Sequence, residues 1–134
     1  MTVERITKEQ LPLSFGSFKP VGHVVVAVEN EEAADQFSQA LQDAGFAETD
    51  VLHFSGEEWV ERVEDLLPEA SGMSGFGSEI QHMRQHYMLA SDGNSLLIIF
   101  APDKKREDKV AELAKRLGAK VAQSYGRLTV EDLI

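Results

Sequence analysis

The chain has 134 residues, enough for one domain with a single hydrophobic core. It carries 13 lysine and arginine residues against 23 aspartate and glutamate residues, a formal net charge of −10. Such an acidic surface repels nucleic acids and anionic membranes, so we expect neither as a partner. The sequence contains no cysteine, which excludes disulfides, thiolate metal sites and a cysteine nucleophile.

The first 20 residues differ from the rest, because their few apolar residues are separated by Pro12, Gly16 and Pro20. This pattern predicts an arm over residues 1–20, followed by a single domain over residues 21–134. The arm lacks the apolar stretch of a signal peptide, and no segment reaches the length of a membrane helix. These features predict a cytoplasmic protein.

Two predominantly apolar runs, residues 21–28 and 95–101, predict strands that are buried on both faces. Residues 51–54 alternate less clearly and predict an edge strand. Residues 120–124 predict a last short strand. The tail, residues 125–134, predicts a turn followed by a short extension or a helical turn.

The first and last predicted helices have matching end signals. Asn30 and Asp103 stand where a helix N-cap is expected, and the apolar stripes that follow extend to about residues 44 and 117. Gly45 and Gly118 follow at positions that favour a left-handed backbone.

Two further helices are predicted between the second and third strands. Ser55 and Glu58 form a capping box that begins a helix ending at Pro68, and Ser78 and Gln81 form another that begins a helix to about residue 91. A glycine-rich loop, residues 71–77, separates the two helices. It lacks the sequence of a phosphate-binding P-loop.

The order of elements predicts an α+β fold, a ferredoxin-like split βαβ sheet of four strands with a two-helix insertion between strands 2 and 3. In this fold the two apolar strands are adjacent and central. The alternative is a fully parallel three-layer sheet, in which strand 51–54 runs in the opposite direction. In the ferredoxin-like sheet the second face needs a cover, either the inserted helices or a second subunit.

The pattern of elements resembles the bacterial general-stress-protein domain, a small heat-induced family. The resemblance implies a ferredoxin-like fold and a stress-related or accessory role, and it implies no catalytic residues. It rests on segments 24–28, 33–46, 51–54, 72–77 and 96–100, together with Tyr87 and the pair Gly118-Ala119.

His82 and His86 are four residues apart on a predicted helix, a spacing that allows two imidazoles to share a metal ion. They lie off the stripe formed by Met83 and Tyr87, and no HExxH pattern is present. We therefore interpret them as surface or partner-facing residues, and we predict no metal site and no cofactor. With Trp59 and Tyr87 they are also candidates for a ligand pocket under the inserted helices.

Lys104, Lys105 and Arg106 stand at the beginning of a helix, where cations oppose the helix dipole. They are candidates for an anion site together with Arg127. The alternative is that they balance the neighbouring carboxylates of Glu107 and Asp108.

Two functional hypotheses follow. The first is a non-catalytic accessory or stress-related domain that acts through self-association, as a homodimer. The alternative is a protein that binds a small molecule or an anion, and is possibly an enzyme, with a pocket between the sheet and the inserted helices. No catalytic residues and no particular ligand are indicated by the sequence.

Overall fold

The computed structural model of the protein describes residue 6 and residues 21–63, 77–126 and 130–134. Most of the predicted arm, the glycine-rich loop as far as residue 76, and Arg127 lie outside the described residues.

The strands form one five-stranded sheet in the order β2-β3-β1-β4-β5, and every neighbouring pair is antiparallel. The two apolar strands are adjacent and interior, and β2 lies at an edge, as predicted. The antiparallel pairing of β2 with β3 excludes the fully parallel sheet. The strands are β1 His23–Val28, β2 Val51–Phe54, β3 Ser95–Phe100, β4 Val121–Tyr125 and β5 Val130–Asp132.

The predicted number of strands was wrong, because the sheet has a fifth strand, β5. Residues 130–132 pair with β4, with Asp132 opposite Gln123 and Val130 opposite Tyr125. Tyr125, at which a turn was predicted, is the last residue of β4. Such a short segment of mixed polarity gains its strand conformation from the free edge of β4, a feature that exists only in the folded protein.

Four α-helices are present in the described part of the chain, and a short 3₁₀ helix, Glu48–Asp50, precedes β2. The fold is therefore α+β. The helices are α1 Glu31–Asp43, α2 Gly56–Val63, α3 Gly77–Ser91 and α4 Lys104–Leu117.

Helices cover both faces of the sheet. On one face, Phe37 of α1 and Leu113 of α4 pack in a buried cluster with Val24 and Val26 of β1. On the other face, residues of α2 and α3 pack against Val25 and Ala27 of the same strand, in a cluster that includes Trp59, Val63, Met83 and Ala90. The inserted helices therefore cover the second face, and a second subunit is not needed for this purpose.

The predicted helix caps are present. The side chain of Asn30 accepts a hydrogen bond from the backbone N–H of Ala33 at 2.9 Å, and Asp103 accepts one from Arg106 at 2.8 Å. Gly118 ends α4 with a φ of 72°, a conformation that strains residues with a side chain. These contacts are local, which is why the sequence predicts them.

Gly56, the first residue of α2, allows a close approach that no local pattern predicts. A Cβ atom at this position would lie 2.4 Å from the carbonyl oxygen of Ala90 and 2.7 Å from that of Asn94. The end of α3 and the turn that follows it therefore pack directly on the backbone of α2. Ser55 caps this helix as predicted, accepting from the N–H of Glu58 at 3.0 Å.

No helix in the described residues has the combination of length and apolar character that a membrane span requires.

Candidate functional site

A buried histidine forms the centre of the contact between α3 and β4. The side chain of His86 is fully buried, and its Nε2 lies 2.6 Å from Oε1 of Gln123. Because an amide oxygen only accepts hydrogen bonds, the Nε2–H of His86 is the donor. The interpretation of His86 as a surface residue was wrong, since the buried positions within residues 81–91 of α3 are 83, 86 and 90.

Gln123 continues this hydrogen bond towards the surface. It is also buried, and its Nε2 donates to Oε1 of Gln85 at 2.8 Å. Gln85 is exposed, so the two hydrogen bonds connect three side chains from the core of the protein to solvent. We refer to His86, Gln123 and Gln85 as the amide relay. Each bond fixes the orientation of the next side chain.

Burial determines the charge of the histidine. Loss of hydration lowers the pKa of His86 from 6.5 to about 4, and this effect outweighs the hydrogen bond that His86 donates to Gln123, which raises the pKa. The nearby His82 lowers it further. His86 is therefore neutral at pH 7, as the core position requires.

Aromatic rings surround the buried end of the amide relay. The ring of Trp59 contacts the rings of His86 and Phe54 edge to face. The distances between ring centroids are 6.1 Å to His86 and 5.3 Å to Phe54. His82 contacts the ring of Tyr125 at 6.4 Å. His82 contacts Tyr125, whereas His86, one turn later in α3, contacts Gln123, which is earlier in β4. The helix thus runs antiparallel to β4, with His82 towards the carboxyl end of the strand.

A polar cleft lies between α3 and the β4–β5 edge of the sheet, with a volume of about 440 Å³. Amide and ionic side chains form much of its surface. It is lined by Gln81, His82, Gln85, Lys120, Val121, Ala122, Gln123, Asp132 and Ile134. Its volume is within the range of small-molecule sites in proteins.

The predicted pocket residues are distributed over the core and the cleft. His82 lines the cleft, whereas Trp59 is buried in the core and His86 lies behind Gln123. Tyr87 is half-buried and packs against the same core cluster.

Of the predicted anion residues that the structure describes, two line one cleft and the third pairs with a carboxylate. Lys104 pairs with Asp108 at 2.8 Å, and this contact raises the pKa of the lysine. Lys105 and Arg106 line a second cleft of about 340 Å³ near Gly45. Arg106 also lies 3.5 Å from the carboxylate of Asp103.

The described residues contain no cluster of three histidine, aspartate or glutamate side chains that could hold a metal ion. His86 uses its Nε2 in the bond to Gln123. His53, another histidine in the sequence, contacts the carboxylate of Glu31 at 2.5 Å. His23 is buried, and its Nε2 accepts from the backbone N–H of Ile6.

Sequence reasoning missed four residues of this site, namely Gln85, Lys120, Gln123 and Asp132. None belongs to a motif, and they lie on three separate elements. The available signal was Gln123, a polar residue at an inward-facing position of a strand. Side chains alternate between the two faces of a sheet, so Gln123 lies on the opposite face from Ala122, which is the face that α3 covers.

Comparisons with protein families, with curated proteins and with solved structures found no match for this chain. The geometry of the site is therefore the basis for the functional proposal.

Proposed function

We propose that the protein binds a small polar molecule in the cleft between α3 and the β4–β5 edge. The observation that carries this proposal is the amide relay. A buried glutamine is held by a buried histidine on one side and by a cleft residue on the other. Burying such groups is costly unless they are hydrogen-bonded, and each hydrogen bond of the amide relay restricts the orientation of the two side chains that it joins.

Fixed polar groups are what a small-molecule site requires. A ligand loses less free energy on binding when the groups that contact it are already oriented. In the cleft, Gln123 is oriented by His86, and Gln85 is oriented by Gln123. The proposal is for binding and does not include a chemical step.

Nuclear magnetic resonance of the isotope-labelled protein with a library of small polar fragments tests this function. We expect at least one fragment to shift the amide signals of Lys120, Gln123 and Asp132 with a Kd of about 1 mM or tighter. The variant His82→Ala should weaken binding, whereas Gln42→Ala, on the opposite side of the sheet, should leave it unchanged. A library that shifts no signal from the cleft would refute the proposal.

We also propose that strands β2-β3-β1-β4 constitute a ferredoxin-like sheet, to which β5 adds an edge. The antiparallel order and the helices α1 and α4 on one face support this assignment. The accessory, stress-related role implied by the resemblance to the general-stress-protein domain stays a prediction.

A second candidate function is self-association as a homodimer through the outer surface of α3. Met88 is 65% exposed, and with Leu89 it forms an apolar surface bordered by Arg84 and Asp92. Because the chain is strongly acidic, we expect association to be driven by apolar contact and to persist at high salt. Light scattering at low and high salt measures the mass. Met88→Gln should abolish a dimer, and a mass of 14.8 kDa for the wild type under both conditions would exclude it.

A further inference from the structure

Two ionic side chains of opposite sign line the polar cleft, and they reach it from different strands. Lys120 immediately precedes β4, and Asp132 is the last residue of β5. Both are exposed. Their formal charges are of opposite sign, in a protein whose formal net charge is −10.

The register of the two strands separates these charges. Asp132 is directly opposite Gln123, and Lys120 stands three residues before Gln123. At the rise of an extended chain, this offset is roughly 10 Å along the strand direction. The two charged residues thus occupy different positions along the cleft.

Neutral amides lie beside Asp132 and on the facing helix α3. Gln123 and Gln85 bond to each other, and Gln81 lies one helical turn before Gln85. The remaining titratable group is His82, which lies beside Tyr125 on the far side of Asp132 from Lys120. An elongated ligand that follows the strand direction thus meets a cation at Lys120 and a carboxylate at Asp132, with the amides of Gln123 and Gln85 beside the carboxylate.

We propose that the cleft binds a small zwitterion, with its carboxylate at Lys120 and its ammonium group at Asp132. This inference rests on the proposed function, because it assigns a ligand class to the same cleft. A dianion would place one carboxylate against Asp132, and a diamine would place one ammonium group against Lys120. Like charges in such contact oppose binding, and complementary charges determine which ligand is selected.

Three probes of equal chain length test this assignment, namely δ-aminovalerate, glutarate and cadaverine. The first is a zwitterion, the second a dianion and the third a dication. Binding is measured from the amide signals of Lys120 and Asp132 in the full-length protein. We expect δ-aminovalerate to bind at least about tenfold more tightly than either of the others, which equals ~1.4 kcal/mol. The three probes are also replaced by analogues with shorter carbon chains. Glycine, the shortest zwitterion, should bind weakly because its two charges are adjacent.

Charge-neutralising variants should change the preference in opposite directions. Asp132→Asn should weaken binding of δ-aminovalerate and bring glutarate to a comparable affinity. Lys120→Gln should weaken δ-aminovalerate and favour cadaverine. Both residues are exposed, so these variants should fold as the wild type does. Asp35→Asn and Lys115→Gln make the same changes on helices of the opposite face and should alter neither preference.

The outcomes separate this inference from the proposed function. If the library contains ligands for the cleft but the zwitterions bind no better than glutarate or cadaverine, the charge assignment is wrong and the binding function stands. If selectivity for the zwitterion is the same in Asp132→Asn and Lys120→Gln as in the wild type, the assignment is also wrong. If no compound shifts the cleft signals, both proposals fail.

Discussion

The imidazole of His86 donates a hydrogen bond to the side-chain oxygen of Gln123 at 2.6 Å, with both groups buried between α3 and β4. This bond connects the core of the protein to the polar cleft. The bond places a proton on Nε2 because the acceptor is an amide oxygen, and burial, which lowers the pKa of His86, keeps the ring neutral at pH 7. Several properties of the protein depend on this one arrangement.

We expect the free energy of unfolding to decrease as the pH is lowered below neutrality, because His86 is buried in its neutral form. Its pKa is 6.5 in the unfolded chain and about 4 in the folded protein, so the unfolded state binds the proton more strongly. The contribution is fully present above pH 6.5 and is lost progressively as the pH falls towards 4. It amounts to about 3 kcal/mol over this window.

Urea unfolding of the wild type and of His86→Gln across this pH range measures the effect. The many carboxylates also titrate, so the difference between the two proteins is the relevant quantity. The wild type should lose more stability than the variant as the pH falls from neutrality to 4. Equal losses would contradict the assignment, as would a directly measured His86 pKa near 6.5.

The tautomer of His86 provides a separate prediction. Nitrogen chemical shifts at pH 7 should show the proton on Nε2 and none on Nδ1. The opposite tautomer would reverse every hydrogen bond of the amide relay and would require Gln85 to donate where the structure has it accepting. A spectrum with the proton on Nδ1 would therefore contradict the described direction of the relay.

Removing one member of the buried pair should be more costly than its size suggests. Gln123→Leu deprives His86 of this acceptor, and we expect a loss of about 1–3 kcal/mol in the free energy of unfolding. Replacing both residues, as in His86→Phe with Gln123→Leu, should cost less than the sum of the two single changes. Denaturant unfolding of the three variants gives the coupling energy, and strict additivity would show that the bond adds nothing to stability.

Gly56→Ala should be severely destabilising because a Cβ atom would overlap two backbone carbonyl oxygens. Backbone of α3 has to move to relieve the overlap, so we expect a cost of about 3 kcal/mol or more. Gly118→Ala is the matched control. No atom lies within 4 Å of its Cβ position, and it should lose only about 1 kcal/mol from its positive φ. Thermal and urea unfolding compare the two variants, and equal costs would exclude close packing at Gly56.

Glu31 connects the beginning of α1 to two strands, and its removal should have a measurable cost. Its Oε2 accepts a hydrogen bond from the buried hydroxyl of Ser95 at 2.6 Å and lies 2.5 Å from Nε2 of His53. We expect Glu31→Ala to lower the free energy of unfolding by about 1–2 kcal/mol. Glu32→Ala, the exposed neighbour in the same helical turn, should stay within about 0.5 kcal/mol of the wild type. Similar values for both variants would contradict a structural role for the Glu31 contacts.

The sequence alone determined most of the elements and their order. The consecutive apolar residues 24–28 of β1 and 96–100 of β3 predicted two adjacent interior strands, because a strand covered on both faces carries apolar side chains on both sides. Asn30, Asp103 and Gly118 predicted helix ends, because a cap bonds to backbone groups within one turn of itself. These signals act over a few residues and are therefore visible in a linear sequence.

The tertiary structure alone decided the site. His86 and Gln123 are 37 positions apart, and nothing near either residue indicates that the other is its partner. Asp132 lines the cleft only because β5 pairs with the edge of β4, and Gly56 is required only because α3 packs against it. A polar side chain is buried when a partner from another element satisfies it, and that partner is fixed by the arrangement of the sheet and helices in space.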